Sequence, residues 1–217
     1  MRVEPITWER LTEAVTDRAL AAGLTTGGAE GAGSRLRVGV DGAPAAGAGE
    51  FATRIEQALR LRGRPGLTVG TGGFLRPASL RYEYGREDPD AYYDDWFDTG
   101  ALWREVFGPL EEGGTGRVLP DLWDPVTDRA TRSPAVRVPG DGVLLLYGPF
   151  LLGHGFPFDL TVHLRLSPAA LRRRTPRAEQ WTLPAFGRYE EEAGPERTAD
   201  IVVRVDDPRH PAWGVPD

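Results

Sequence analysis

Apolar residues occur in this chain with two periodicities, and the two alternate along the sequence. The runs LRVGV at residues 36–40 and GVLLLY at residues 142–147 are almost continuously apolar, as in parallel strands that are buried on both faces. Further strands are predicted at residues 67–71, 159–166 and 199–205. Apolar residues three or four positions apart predict amphipathic helices at residues 8–22, 50–62 and 100–110. Strands that alternate with helices indicate an α/β fold built on a mostly parallel sheet.

Polar and glycine residues mark where the first elements begin and end. Thr7 is a candidate N-cap for the first helix, and Gly23 is expected to end it. Residues 23–34, GLTTGGAEGAGS, are rich in glycine and without periodicity, which is typical of a linker. We therefore expect a helix and linker over residues 1–34 and the main fold over residues 35–217, as a single domain overall. The first helix is expected to pack on the core, with a partner-binding role as the alternative.

The second half of the chain carries weaker structural signals. Residues 117–138 contain two short β-prone runs that lead out and back, which predicts a hairpin or flap. The Ser-Pro pair at residues 167–168 is typical of a helix start. Residues 189–192 are expected to be helical again after Pro184 interrupts the segment. The residues after Val205 are expected to form a proline-rich tail.

Composition and charge narrow the classes of function. All 26 basic side chains are arginine, so no lysine of this chain can bind a phosphate group. The net charge of −6 gives no reason to expect a nucleic-acid partner. The absence of cysteine excludes disulfides, thiolate metal sites and cysteine nucleophiles. No run approaches the ~18 apolar residues of a membrane span, and the N-terminus lacks the apolar region of a signal peptide. We therefore expect a cytoplasmic protein that is not bound to membranes.

A glycine-rich segment follows the strand at residues 36–40. Gly42 and Gly47 have the spacing G-x-x-x-x-G of a phosphate-binding loop, in which backbone N–H groups and a helix N-terminus surround an anion. Such a loop continues with a lysine that reaches the outer phosphates and a serine or threonine that holds Mg²⁺. Ala48 and Gly49 occupy these two positions here. The sequence thus predicts the backbone of a phosphate loop without its charged part, and a chance spacing of abundant glycines is the alternative.

The wider segment GVDGAPAAG resembles the opening of the uridine kinase family of P-loop phosphotransferases, whose motif would continue G-K-T-T. The resemblance extends, with gaps, from about Thr7 to Val205. It implies a P-loop NTPase-like, three-layer α/β/α fold of the nucleoside kinase type, with a mostly parallel central sheet and a small β-hairpin or lid. It also implies the chemistry of an ATP-dependent transferase, which the individual site residues must support.

Three acidic positions of the family's site are replaced in this chain. The segment VGTGGFLRP resembles the family's V-S-V-D-D-F-H-R-P, in which a carboxylate lies beside the substrate hydroxyl and the metal. Gly72 and Gly73 take the two acidic places of that segment. Tyr147 stands where the family has an acidic residue that helps to order Mg²⁺. We expect the bulky Tyr147 side chain to fill the space of the missing metal.

The resemblance also implies a substrate side. Arg76 is retained, and EDPDAY resembles the family's D-H-P-D-A-F, which makes Asp90 the residue expected to bind ribose hydroxyls. The segment WDPVTD resembles Y-D-F-V-T-H, so Trp123 and Asp128 take places that contact the nucleobase in the family. Aspartate accepts hydrogen bonds where histidine can donate one, which weakens the expectation of uridine specificity. Without the resemblance, most carboxylates of residues 81–98 would be read as helix caps and solvated groups.

A run of arginines follows the predicted helix start at residue 167. The resemblance implies a lid whose arginines close over the transferring phosphate, and the matching residues are Arg172, Arg173, Arg174 and Arg177. A solvated helix face is the alternative for such a run.

The three histidines show no metal-binding pattern. His163 alternates with apolar residues in a predicted strand, which favours a core histidine over a catalytic one. His154 is expected in an exposed loop and His210 in the tail. We therefore predict no metal site.

Glu50 lies in the first turn of the helix that follows the loop. A carboxylate there stabilises an isolated helix by about 0.3–1 kcal/mol, but it would repel a triphosphate in the same place. Glu50 either occupies part of the anion site or is an ordinary exposed first-turn residue.

Phosphoryl transfer depends on charges that this chain lacks at the matched positions. Removal of one such contact typically slows a reaction about a hundred- to a thousandfold. The leading prediction is therefore a uridine-kinase-like protein without catalysis, a pseudokinase that acts as a binding or regulatory module. No cofactor is expected, and its partner would be another protein or a nucleoside-like small molecule.

Two alternatives remain at this stage. One is a working small-molecule kinase that uses ATP and Mg²⁺, in which Asp41, Arg76 and the arginines around Arg173 rebuild the site. The other is a protein that binds a nucleoside or nucleotide through Trp123 and Asp90 without chemistry.

Overall fold

A seven-stranded sheet forms the centre of the computed structural model, which describes residues 3–26 and 35–216. The strands of the fold are β1 (Glu4–Pro5), β2 (Leu36–Asp41), β3 (Gly66–Gly70), β4 (Arg117–Val118), β5 (Trp123–Asp124), β6 (Arg129–Ala130), β7 (Val136–Arg137), β8 (Val143–Gly148), β9 (Leu160–Arg165), β10 (Ile201–Arg204) and β11 (Ala212–Gly214). The α-helices are α1 (Trp8–Thr26), α2 (Ala48–Leu61), α3 (Ala78–Arg81), α4 (Pro89–Asp94), α5 (Thr99–Leu102), α6 (Pro168–Arg174), α7 (Leu183–Glu192) and α8 (Pro195–Thr198).

Strand β2 lies in the middle of the sheet, whose order is β1-β11-β10-β9-β2-β8-β3. The five strands from β10 to β3 are parallel, while β11 and β1 add an antiparallel edge. The chain leaves β2 through α2 toward β3 on one side, and β9 lies on the other side of β2. In such a sheet, ligands bind at the carboxyl ends of the strands where the winding direction changes. The loop after β2 lies at this point.

Alternating side chains of the buried strands build one core on each face of the sheet. Val143 and Leu145 of β8 pack with α1 and α2, whereas Leu144 and Leu146 pack with the helical segment of residues 99–110. This alternation follows from the two-residue repeat of a strand and explains the continuous apolar run. The result is the predicted three-layer α/β/α arrangement.

Helix α1 belongs to the same core as the sheet. Leu11, Val15 and Ala19 are buried against it, and the Arg10 N–H donates to the Thr7 hydroxyl at 3.3 Å, as expected for an N-cap. The expected stop at Gly23 is wrong, because the helix continues to Thr26. The rest of the predicted linker, residues 27–34, lies outside the described residues.

Two further expectations about the second half of the chain are corrected. Pro184 does not interrupt a segment but lies in the first turn of α7, where the missing proline N–H has no intrahelical partner to lose. The residues after Val205 do not form a mere tail, because β11 pairs with β10 and also with β1. Prolines beside these very short strands hide them from pattern analysis.

The predicted hairpin at residues 117–138 is confirmed as two small antiparallel ladders. Strands β4 and β7 pair at its base, and β5 and β6 pair toward its tip. Within the described ranges, no helix has the length and apolar character needed to cross a membrane.

Candidate functional site

The loop after β2 turns directly into α2 and satisfies part of its own backbone donors. Pro44–Ala46 form a 3₁₀ turn, and Gly47 adopts a left-handed conformation with φ 84° before α2 begins at Ala48. The N–H of Ala46 donates to the carbonyl of Ala43 at 2.7 Å, and the N–H of Gly47 donates to Pro44 at 3.3 Å. Because Pro44 has no N–H, three positions of the loop do not offer a free donor to an anion.

The ring of Tyr147 lies between two glycines at the start of α2 and the end of β3. A Cβ atom added at Gly49 would be 2.8 Å from Cε2 of Tyr147, and one added at Gly70 would be 2.7 Å from its Cζ. Gly49 is the position at which a phosphate loop has its metal-binding hydroxyl. The Tyr147 ring therefore lies directly against the place of a metal ligand, and the two glycines make room for it.

A cavity of about 380 Å³, here called the loop cavity, opens beside these residues. Gly42, Ala48 and Gly49 of the loop form one wall, and Tyr147 contributes to another. The remaining large side chains of the lining are Leu75, Tyr92, Trp96 and Phe97. Among the residues that the structure describes, none with a charged side chain lines this cavity. It thus has the aromatic and apolar character of a ligand pocket without the charges of a phosphate site.

Aromatic packing fixes the wall formed by Tyr92. Its ring makes edge contacts with Trp96 at 5.0 Å, Phe150 at 5.5 Å and Trp181 at 5.6 Å between ring centroids. Burial, and secondarily the charge of Glu179, raise the pKa of the Tyr92 hydroxyl far above its usual range. Tyr92 is therefore uncharged at neutral pH.

The two glycines that replace acidic residues differ in their surroundings. A Cβ at Gly72 would meet open space at the loop cavity, whereas a Cβ at Gly73 would be 2.7 Å from Cβ of Asp121. The hairpin also contacts Gly73 through the N–H of Leu122, which donates to the Gly73 carbonyl at 2.7 Å. Asp121 itself accepts from the Ser133 hydroxyl at 2.7 Å. Position 73 thus has no room for a larger side chain unless the hairpin moves.

Glu50 is exposed in the first turn of α2. Its Oε2 would be 3.9 Å from a Cβ at Gly47, so the carboxylate lies near the loop but at its rim. This position fits an exposed first-turn residue better than one that occupies the anion site.

The residues present do not fit an ATP-bound magnesium ion. The lysine and hydroxyl positions carry Ala48 and Gly49, and Tyr147 replaces the second acidic position. In the described part of the chain, no group of three or more His, Asp or Glu side chains is arranged to hold a metal ion.

Two of the predicted substrate-side residues form ion pairs with other parts of the protein. Arg76 contacts Asp95 at 2.8 Å. Asp90, on the exposed side of α4, contacts Arg188 of α7 at 3.2 Å. Neither residue lines the loop cavity. In this conformation Asp90 and Arg76 contact other parts of the protein and not the loop cavity.

The other two substrate-side residues bind each other. The indole N–H of Trp123 donates to Oδ1 of Asp128 at 3.0 Å, and the same oxygen accepts from the Ala78 N–H at 2.9 Å. The buried Arg81 side chain is 3.5 Å from Asp128. Hydrogen bonds from Trp123 and then Ala78 hold the pKa of Asp128 below its usual range. These contacts attach the hairpin tip to α3, and they do not bring Trp123 to Asp90.

The four arginines of the predicted lid separate into different contacts. Arg173 donates to the carbonyl of Asp206 at 3.3 Å, and Arg174 donates to that of Val205 at 2.7 Å. Arg172 and Arg177 are exposed. Two of the four thus hold α6 to the end of β10 in this conformation.

A buried pair that pattern analysis missed lies behind the loop. Register places Asp41 of β2 opposite His163 of β9, and Oδ2 of Asp41 is 2.6 Å from Nδ1 of His163. The residues are 122 positions apart in sequence, so only the strand pairing reveals the contact. The core position predicted for His163 is confirmed, since only 4% of the residue is exposed.

Three of the solved structures that match this chain are described as kinases. A possible uridine kinase from Bacillus stearothermophilus matches with a TM-score of 0.67 and 21% identity, over 88% of this chain and 96% of that chain. A putative fructose transport system kinase from Silicibacter sp. TM1040 matches with a TM-score of 0.57 and 20% identity, over 87% and 90% of the two chains. A D-glycerate 3-kinase from Cryptococcus neoformans var. grubii matches with a TM-score of 0.50 and 16% identity, over 89% and 72%.

No protein-family model and no curated protein sequence matches this chain. At these identities the structural matches establish the fold. The chain has the fold of the uridine-kinase-like P-loop kinases, as the sequence resemblance predicts.

Proposed function

We propose that this protein is a non-catalytic member of the uridine-kinase-like fold, a pseudokinase that acts as a ligand-binding or regulatory module. The observation that carries the proposal is the Tyr147 ring against Gly49, where a metal-binding hydroxyl would have to lie. A threonine at position 49 and the present position of this ring exclude each other. If the lysine alone were replaced, other residues could still bind the metal ion and compensate. In this chain both the lysine position, Ala48, and the metal-ligand position, Gly49, are altered.

The uncharged lining of the loop cavity supports the same conclusion. A triphosphate needs several positive charges or a metal ion to offset its own charge, and phosphoryl transfer depends mainly on that stabilisation. Aromatic and aliphatic side chains offer contact area instead. The ligand best suited to this cavity is a small aromatic molecule without phosphate groups, such as a nucleoside-like compound.

Calorimetry and thermal unfolding with Mg–ATP test the proposal. We expect no heat of binding and no rise in melting temperature at millimolar ATP, either with Mg²⁺ or with a chelator, because a ligand of the native state raises stability by mass action. Nucleosides without phosphate are tested in parallel. A Mg²⁺-dependent rise with ATP would overturn the proposal and favour the kinase alternative.

A restored variant provides the matched control. Ala48→Lys, Gly49→Thr and Tyr147→Asp together supply the missing lysine, hydroxyl and carboxylate and remove the ring that blocks them. We expect this variant to gain Mg²⁺-dependent ATP binding that the native chain lacks.

ADP production over a panel of nucleosides and sugars, with Arg173→Ala as control, separately tests for a working kinase. Nucleoside-dependent quenching of tryptophan fluorescence that disappears in Trp123→Ala would favour the binding site at Trp123.

A further inference from the structure

The contact between Asp41 and His163 leaves one nitrogen of the His163 imidazole available to accept a hydrogen bond. Asp41 is fully buried, and its second oxygen, Oδ1, accepts from the N–H of Leu151 at 2.8 Å. Both carboxylate oxygens of Asp41 therefore accept hydrogen bonds. The donor in the 2.6 Å contact is the N–H at Nδ1 of His163, since an ionised carboxylate can only accept. In the neutral imidazole this leaves Nε2 as an acceptor.

The Nε2 atom of His163 has no hydrogen-bond partner although it is buried. The nearest carboxylate oxygen, Oε1 of Glu190, is 3.8 Å away, which is beyond hydrogen-bond distance. A buried polar atom without a partner is rare in native structures and indicates a missing ligand or water when it faces a cavity. His163 does face one.

A cavity of about 500 Å³, here called the His163 cavity, lies between β9 and helices α6 and α7. Apolar side chains form most of its walls, including Phe150, Leu171 and Phe186. Among the described residues, Gly42 is the one that lines both this cavity and the loop cavity. The two cavities are therefore separate sites.

The charged residues of the His163 cavity do not favour a strongly charged ligand. Glu190 and Arg172 carry opposite charges at its wall, and Arg165 is already paired with Glu196. Burial raises the pKa of the Glu190 carboxyl above its usual range. In the neutral imidazole, the buried atom without a hydrogen-bond partner is the acceptor Nε2. A ligand that pairs with it must therefore supply a hydrogen-bond donor.

We propose that the His163 cavity binds a largely apolar small molecule that carries a hydroxyl group, and that Nε2 of His163 accepts the hydrogen bond from this hydroxyl. The apolar body of the ligand packs against Phe150 and Phe186. Asp41 acts as a positioning residue that holds the imidazole in the tautomer with Nε2 free. The inference does not depend on whether the loop binds nucleotide.

The test compares two fluorinated aromatic probes of similar shape, of which only one has a hydrogen-bond donor. 4-Fluorophenol carries a hydroxyl, whereas 4-fluoroanisole has a methyl ether in its place, and ¹⁹F NMR follows the binding of both to the full chain at neutral pH. We expect 4-fluorophenol to bind about tenfold more tightly, the factor given by one hydrogen bond to an otherwise unpaired buried acceptor. Equal affinity of the two probes, or no binding of either, would overturn the proposal.

Two variants test whether the His163 imidazole causes the preference for 4-fluorophenol. His163→Phe keeps a ring of similar size without an acceptor and should remove the preference for the phenol, whereas His210→Gln, at an exposed histidine, should leave it unchanged. A preference that survives in a folded His163→Phe chain would contradict the assignment.

If His163→Phe does not fold, ¹⁵N NMR of histidine-labelled native protein gives the answer. The Nε2 signal of His163 should move with 4-fluorophenol and stay in place with 4-fluoroanisole. No movement with the phenol would reject the role of His163.

Discussion

Gly49 and Gly70 both lie against the ring of Tyr147, and a Cβ added at either position would be less than 3.0 Å from a ring atom. We predict that Gly49→Ala destabilises the protein by about 1–3 kcal/mol, the usual range for overpacking, although alanine is the better helix former. Gly72→Ala, in the same cavity but with open space around its Cβ, should change stability by less than about 0.5 kcal/mol. Urea unfolding of the two variants measures both values.

Removal of the Tyr147 ring provides a control for the predicted effect of Gly49→Ala. In the Tyr147→Ala background the added methyl group at position 49 has room, so Gly49→Ala should become neutral or stabilising. A penalty of equal size in both backgrounds would show that the ring is not its cause.

At the scale of single residues, the sequence allows prediction of features that are formed by residues adjacent in the chain. The turn at the loop glycines was predictable, since the order of the motif assigns each position. Pattern analysis missed the contact between Asp41 and His163, because strand register brings these distant residues together. It also could not foresee that Asp90 binds Arg188, because that contact joins two helices far apart in sequence.

At the scale of elements, the hairpin is attached to α3 through the Asp128 carboxylate. Asp128 has a lowered pKa, so the stabilisation it gives is present above the unfolded value of about 3.9 and is lost as the pH falls through the lower folded value. We predict that below about pH 4 the indole N–H of Trp123 loses its protection from hydrogen exchange before the sheet unfolds.

Asp128→Ala should release the hairpin at neutral pH in the same way. Asp141→Ala changes an exposed aspartate in a turn and serves as the control. Hydrogen exchange of the Trp123 indole and the Ala78 amide, followed by NMR, reads the effect directly. If both variants exchange like the native protein, Asp128 does not hold the hairpin.

Elements were predictable in proportion to their apolar content. Almost continuous apolar runs predict the buried strands β2 and β8, an alternation of apolar and polar residues predicts β9, and the spacing of apolar residues predicts the helices. Strands β1 and β11 contain two and three residues, and their stability comes from pairing with a distant partner rather than from local pattern. Short strands of this kind lie below what periodicity can detect.

At the scale of the whole molecule, the C-terminal edge belongs to the main core. Trp213 of β11 packs against it, and the guanidinium of Arg18 lies 5.3 Å from the Trp213 ring centroid. We predict that Trp213→Ala destabilises the protein by about 2–3 kcal/mol, somewhat less than the loss of a fully buried tryptophan. Leu61→Ala, at a side chain that is 90% exposed, should cost less than about 0.5 kcal/mol. Thermal and urea unfolding compare the two, and a Trp213 effect as small as the Leu61 effect would contradict this account.

The edge strand β1 pairs with β11 alone, with Glu4 opposite Trp213 and Pro5 opposite Ala212. During synthesis the ribosome makes residue 5 long before residue 213, and at about 5–20 residues per second the interval is about 10–40 s. Until β11 is made, β1 lacks the strand with which it pairs in the described part of the chain. This edge of the sheet therefore closes only late in synthesis, after the ribosome has made β11.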